Sequence, residues 1–128
     1  MIVHHTPETI RAPFSTYSHG GEVPPSARWL FCSGQLGIAP DETVPDGVAA
    51  QTERAFLNIG AILEAAHMDF GDIVRLNAYL TDPGDLQAYM EVRNRFVALP
   101  APASTLIVVS GFARPEFKVE VEAVAARV

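Results

Sequence analysis

The stretch Phe117-Lys118-Val119-Glu120-Val121-Glu122-Ala123-Val124-Ala125 decides the fold. Phe117, Val119, Val121 and Ala123 fall on one side of an extended chain, and Lys118, Glu120 and Glu122 on the other, because successive side chains of a strand point to opposite faces. A strand built this way covers a core on one side only. The same alternation runs from Ile73 to Thr81, where Val74, Leu76, Ala78 and Leu80 face one way and Arg75, Asn77 and Tyr79 the other. Trp29 to Ser33 and Thr105 to Phe112 read as further strands, with a shorter one near Ser15 to Gly21.

Two helices stand among these strands. From Val48 to Ala66 the residues Val48, Thr52, Ala55, Phe56, Ile59, Ile62, Leu63 and Ala66 recur at steps of three and four, while Gln51, Glu53, Arg54 and Glu64 fall elsewhere. That spacing predicts one amphipathic helix, with Asp46 as its N-cap. A second helix starts at Asp82-Pro83-Gly84-Asp85, where Asp82 caps and Pro83 suits the first position. Its apolar stripe is Leu86, Tyr89, Met90, Phe96 and Val97. Strands grouped around two helices imply an α+β layer, one sheet with both helices on one face. The opposite face mixes Arg75, Asn77 and Tyr79 with glutamates, the composition of a wet subunit interface.

At 128 residues the chain is read as a single domain, residues 1–128. Hydrophobic residues make up 48% and charged residues 19%, so nothing in the composition argues for a disordered tail. The net charge is −6 and the nine Lys and Arg form no run, which weighs against a nucleic-acid partner. The single cysteine, Cys32, excludes an intrachain disulfide and a cysteine-cluster metal site. A reducing, cytoplasmic setting is expected. Neither a signal sequence at Met1–Thr6 nor an apolar run of membrane-spanning length is found, so no membrane partner is expected.

Several clusters could carry chemistry. Glu120 and Glu122 start about 6.5 to 7 Å apart on one strand face; spacing alone fits a carboxylate pair, and more simply the polar side of a half-buried strand. Cys32-Ser33-Gly34-Gln35-Leu36-Gly37 follows a short apolar strand; its glycine admits a ligand close to the backbone, or merely turns the chain. Tyr17 and His19 sit in the loop Ala12–Gly20, where a tyrosine packs or donates a hydrogen bond. No metal is expected, because none of the four histidines has helical i, i+4 spacing with a second ligand. Neither a phosphate loop nor a Gly-x-Ser-x-Gly elbow is present.

Taken together, the Tyr17 loop, Ser33-Gly34-Gln35, Ala50-Gln51-Thr52, Gly71-Asp72-Ile73-Val74, Pro102-Ala103-Ser104-Thr105 and Val119-Glu120-Val121-Glu122-Ala123 resemble the Rid superfamily. These are the YjgF-like imine and enamine deaminases also known as L-PSP endoribonucleases. The resemblance implies a mixed, chorismate-mutase-like sheet and a homotrimer with a small-molecule pocket at each subunit boundary. It also implies that Glu120 positions the catalytic water and that Tyr17, Ser33, Gly34, Ser104 and Thr105 bind substrate, with no cofactor. Three pocket positions depart from the pattern: Ser104 stands where the deaminase branch carries a carboxylate-binding arginine, Met90 about where one branch carries an asparagine, and Leu106 where some members have a cysteine. A serine offers one hydroxyl where a guanidinium offers a two-pronged fork, so a substrate other than 2-aminoacrylate is expected. Arg28, Arg75 and Arg114 are candidate replacements. The alternative is a non-catalytic small-molecule-binding or regulatory trimer of the same fold, and a ribonuclease is the third and weakest reading.

Overall fold

The computed structural model describes residues 1–128. In chain order the elements are β1 (Val3–His5), β2 (Gly20–Glu22), β3 (Arg28–Leu36), α1 (Val48–Ala65), β4 (Ile73–Leu80), α2 (Leu86–Phe96), β5 (Ala103–Val108) and β6 (Val119–Arg127). The main sheet has the order β3-β6-β4-β5. β6 runs antiparallel to β3 and β4, and β4 runs parallel to β5. A parallel pair needs a crossover, which α2 supplies. The sheet is therefore mixed, with both helices on one face, as expected.

Alternation in β6 holds without exception through its first half: Val119 and Val121 are fully buried and Ala123 nearly so, while Glu120 and Glu122 are half-exposed. In β4 a bulge modifies the reading. Ile73 pairs with Ala125 and Arg75 with Val124, so Val74 is the extra residue. Ile73 takes the core position with Leu76, Ala78 and Leu80, and Val74 instead packs where Gly21 passes, its Cγ1 3.3 Å from the position a Gly21 Cβ would hold. A one-residue bulge moves a side chain to the other face, which period-2 counting does not register.

The N-terminal strand also differs from expectation. Ser15–Gly21 is not a strand; β2 begins at Gly20 and pairs with β1 as a separate ribbon. The preceding residues are tied instead to the approach to β5, since Ser18 donates from its backbone N to Pro102 O (3.2 Å) and from Oγ to Ala101 O (2.7 Å). β5 itself ends at Val108, short of the Phe112 that its β-branched composition suggested.

Helix α1 buries Val48, Thr52, Ala55, Phe56, Ile59 and Leu63 against the sheet. Its N-cap is Gly47 at φ 88°, with no side-chain capping bond, so Asp46 does not cap it. At the far end His67 adopts φ 56°, a left-handed conformation that costs a non-glycine residue some strain. Arg28 donates to Ala66 O (2.7 Å) and His67 O (3.3 Å), and Arg127 to His67 O (3.1 Å). These two guanidinium groups satisfy helix-end carbonyls where cations are electrostatically favoured. Asp82 caps as predicted, accepting from Gly84 N at 2.8 Å, but at a 3₁₀ turn that leads into α2. On α2 the buried residues are Tyr89, Val92 and Arg93; Leu86 is 45% exposed and Val97 lies past the helix end. Phe56 and Phe96 stack at 5.2 Å between centroids and join the helices.

Gln51, which periodicity placed off the apolar face, is only 2% exposed. Its Nε2 donates to Pro45 O (3.1 Å) and Glu116 O (2.8 Å), and its Oε1 accepts from Lys118 N (2.8 Å). A buried amide with its partners in place fixes geometry as well as energy. Gln51→Leu strands the Lys118 N–H and the Glu116 carbonyl. The expected loss is roughly 2 to 4 kcal/mol, read as a lowered midpoint in chemical denaturation; an unchanged midpoint would contradict this role.

Candidate functional site

Apart from Thr105, the sequence-predicted residues separate into two groups on opposite faces of the sheet. Glu120 points to the helix-free face, since its neighbours Val119 and Val121 are fully buried beneath the helices. Beside it, β3 carries a bulge between Cys32 and Gln35, which brings Gly34 against the Glu120 side chain. A Cβ on Gly34 would lie 2.7 Å from Glu120 Cδ and 3.0 Å from Oε1, so only glycine fits under the carboxylate as it stands. Ser33, at the same bulge, is exposed. Ser33, Gly34 and Glu120 thus form one cluster.

The two glutamates differ in what they touch. Glu122 Oε1 accepts from Tyr79 Oη (2.7 Å) and Asn77 Nδ2 (3.2 Å). That bond to Glu122 is the main cause that pushes the Tyr79 hydroxyl above its usual pKa, with burial second. The Glu120 carboxylate has no hydrogen-bond or ion-pair partner, although its backbone is paired in the sheet. Glu122 is thereby occupied in holding the sheet face together, and Glu120 is left with its lone pairs available.

The second group lies at β5, on the helix side. Leu76 pairs with Ser104 and Ala78 with Leu106, which turns Ser104 and Leu106 toward α2. They line a pocket of about 760 Å³ together with Tyr17, Met90 and Arg93. Tyr17 Oη accepts from Phe14 N (3.2 Å), which leaves the hydroxyl proton free to donate. His19 does not enter: its Nε2 is bonded to Arg11 O (2.7 Å) and its ring meets Tyr17 edge-on. Thr105 alternates to the opposite face, where its Oγ1 accepts from Arg75 Nη2 (2.7 Å). It therefore joins neither group directly.

None of the three arginines named from sequence reaches this pocket. Arg28 is spent on the end of α1, Arg75 on Asn77 and Thr105, and Arg114 on Glu116 (3.4 Å) and the Phe117 ring. The cation that lines it is Arg93, a residue sequence reasoning missed. A signal was present: Arg93 stands four residues after Tyr89, inside the stripe that α2 buries. A charged residue at a core position is rarely there without a partner or a task.

Comparison with known proteins agrees with this architecture. The family model described as Endoribonuclease L-PSP matches residues 9–127. Protein DfrA of Myxococcus xanthus is 37% identical over 111 residues, 85% of this chain and 83% of that protein. The 2-iminobutanoate/2-iminopropanoate deaminase of mouse is 31% identical over 128 residues, covering 97% of this chain and 92% of the relative. Among solved structures, a Rid-family protein of unknown function, YyfB from Yersinia pestis, superposes with a TM-score of 0.86 at 26% identity, covering 98% of both chains. The fold defines a small α+β protein of the YjgF-like class. The chain belongs to the Rid/YjgF superfamily, the L-PSP endoribonuclease family of sequence classification.

Gly34→Ala tests the close packing at the bulge. The Glu120 carboxyl carbon must retreat from 2.7 Å to ordinary contact beyond 3.4 Å, and because it ends a flexible side chain the fold should survive. A crystal structure of the variant is expected to show Glu120 displaced; a folded variant with Glu120 unmoved would contradict the contact.

Proposed function

We propose that the protein is a Rid-type hydrolase that deaminates a reactive imine or enamine, and that it works as a homotrimer with its sites between subunits. The observation that carries this reading is the free Glu120 carboxylate lying over Gly34 at the bulge. A carboxylate with open lone pairs can hold a water and take its proton as the oxygen attacks an imine carbon. The C=N electron pair moves to nitrogen and a carbinolamine forms. Proton return to nitrogen then lets the C–N bond break, releasing ammonia as the C=O forms. An enamine enters the same sequence after tautomerising to the imine. The Ser33 hydroxyl and the backbone beside Gly34 stand where they can hold the substrate. The reaction as written needs water and no cofactor.

The positions of the two clusters support this assembly. Ser33 and Gly34 belong to β3 at one edge of the sheet, whereas Ser104 and the pocket belong to β5 at the other. One chain cannot close its own site, but a neighbour's β3 edge can meet this chain's β5 edge. A contact between two different edges is heterologous, and it closes into a ring when the rotation permits. The stacked pair Trp29 and Phe31, 52% and 73% exposed, supports burial of the β3 edge. The unpaired Cys32 supports a reducing, cytoplasmic setting.

Ser104 supports a substrate other than 2-aminoacrylate, because β5 presents no guanidinium to a carboxylate on the reacting carbon. One observation favours the second reading, a non-catalytic binding trimer: the pocket at β5 has no Asp, Glu or His in its lining, so chemistry there depends on the partner's Glu120. An RNA substrate is disfavoured by the net charge of −6.

The deciding assay generates imines in place, with an amino acid oxidase for carboxylate-bearing ones and an amine oxidase for neutral ones, and follows ammonia release. The protein is expected to accelerate hydrolysis, and Glu120→Gln to reduce the rate by at least about 100-fold with fold and assembly retained. Full activity in that variant would remove Glu120 from the mechanism. Tight binding of a small molecule without turnover in the parent would establish the second reading instead. Light scattering at micromolar concentration should give the mass of three chains, and a monomer mass would contradict the shared site.

A further inference from the structure

We propose that Arg93 is an anion-binding residue of the β5 pocket, holding a carboxylate from helix α2. Arg93 is 1% exposed and takes part in no salt bridge. Its Nη1 donates to Thr16 O (2.6 Å) and Asn94 Oδ1 (3.0 Å), whereas Nε and Nη2 are buried without a partner. Those two nitrogens form the side-on edge of the guanidinium, the fork that grips a carboxylate through two parallel hydrogen bonds. The Tyr89 hydroxyl beside it is also buried without a partner. The Tyr89 oxygen is itself an acceptor and lies close enough to Arg93 for the two to shift each other, yet neither nitrogen of the fork meets it at hydrogen-bond geometry, and it could satisfy only one of the two. Burial pushes the Tyr89 hydroxyl up to about 12, with Arg93 pulling the other way, so both groups are present as donors at neutral pH.

The pocket supports the same occupant. Arg93 is its one charged residue, in a protein whose net charge is −6. Tyr17 adds a free hydroxyl proton, and the small side chain of Ser104 leaves the opposite wall open. A carboxylate reaches the covered edge of Arg93 only if a lining side chain moves aside, and the flexible Met90 and Gln87 line the pocket with it. A guanidinium on α2 also sets the carboxylate elsewhere than an arginine on β5 would, which separates this ligand class from 2-aminoacrylate.

That the carboxylate belongs to an imine rests on the hydrolase reading; the anion site itself does not, and its test uses unreactive probes. In calorimetric titrations of the intact protein, butanoate is expected to bind at least about tenfold tighter than butanamide, which has the same shape without the charge. A crystal structure with butanoate is expected to place its carboxylate on Nε and Nη2. Arg93→Met should erase the preference for butanoate over butanamide, and Arg93→Lys should keep part of it by charge. Equal binding of the two probes to the parent protein would overturn the proposal whether or not the variants fold, as would a carboxylate seated elsewhere or a water alone on the Arg93 edge. Hydrolysis of neutral imines with no butanoate preference would leave the hydrolase standing and remove the anion site. Butanoate bound at Arg93 in a protein indifferent to Glu120→Gln would do the reverse.

Discussion

Gln51 bonds to the chain on both sides of the turn into β6, and the placing of Glu120 depends on that grip. Lys118, whose N–H it accepts, stands two residues before Glu120. Side chains alternate with period two along a strand, so a one-residue slip would turn Val119 and Val121 outward and bury Glu120. The helix is held equally closely from the other side: a Cβ on Gly37 would fall 2.6 Å from Gln51 Cα, so the chain leaving β3 runs in contact with the α1 backbone. Helix, β3 exit and β6 start are thereby fixed to one another, and with them the approach of Gly34 to Glu120.

The two glutamates show how a strand face is divided between structure and chemistry. Both leave the backbone on the same side, yet Tyr79 and Asn77 engage only Glu122. The β3 bulge places a glycine beneath Glu120, which removes a side chain that would otherwise crowd it. A similar division separates the arginines. Arg28 and Arg127 stabilise the end of α1, where the left-handed His67 has to be accommodated, and Arg75 braces β4 against β5. Arg93 differs from these in that two of its nitrogens are buried without a partner.

Much of this was legible in the sequence. Alternation in Ile73–Thr81 and Phe117–Ala125 and the three-four spacing of α1 identify the layer, because burial on one face imposes those periods. The bulges at Val74 and at Ser33-Gly34 were not legible, since an inserted residue changes facing without changing composition. Asp46 was a reasonable cap by residue type, but the chain turns through Gly47 with a positive φ and leaves its carboxylate out of reach. Gln51 and Arg93 were missed for one shared reason: period-based reading assigns polar side chains to solvent, and both are buried. The separation of Ser104 from Glu120 was beyond any linear reading, because it depends on the strand order β3-β6-β4-β5 and on which face each strand turns toward the helices.

Subunit complementation most directly tests the proposed site built from two subunits. Glu120→Gln disables one cluster and Ser104→Trp fills the other, so each variant alone should form inactive assemblies. If each site takes one cluster from each of two neighbours, randomly mixed assemblies regain about one quarter of the parent imine-hydrolysing rate, the share of sites in which both contributed halves are intact. Mixed assemblies, verified by mass, that remain as inactive as either variant would contradict the shared site.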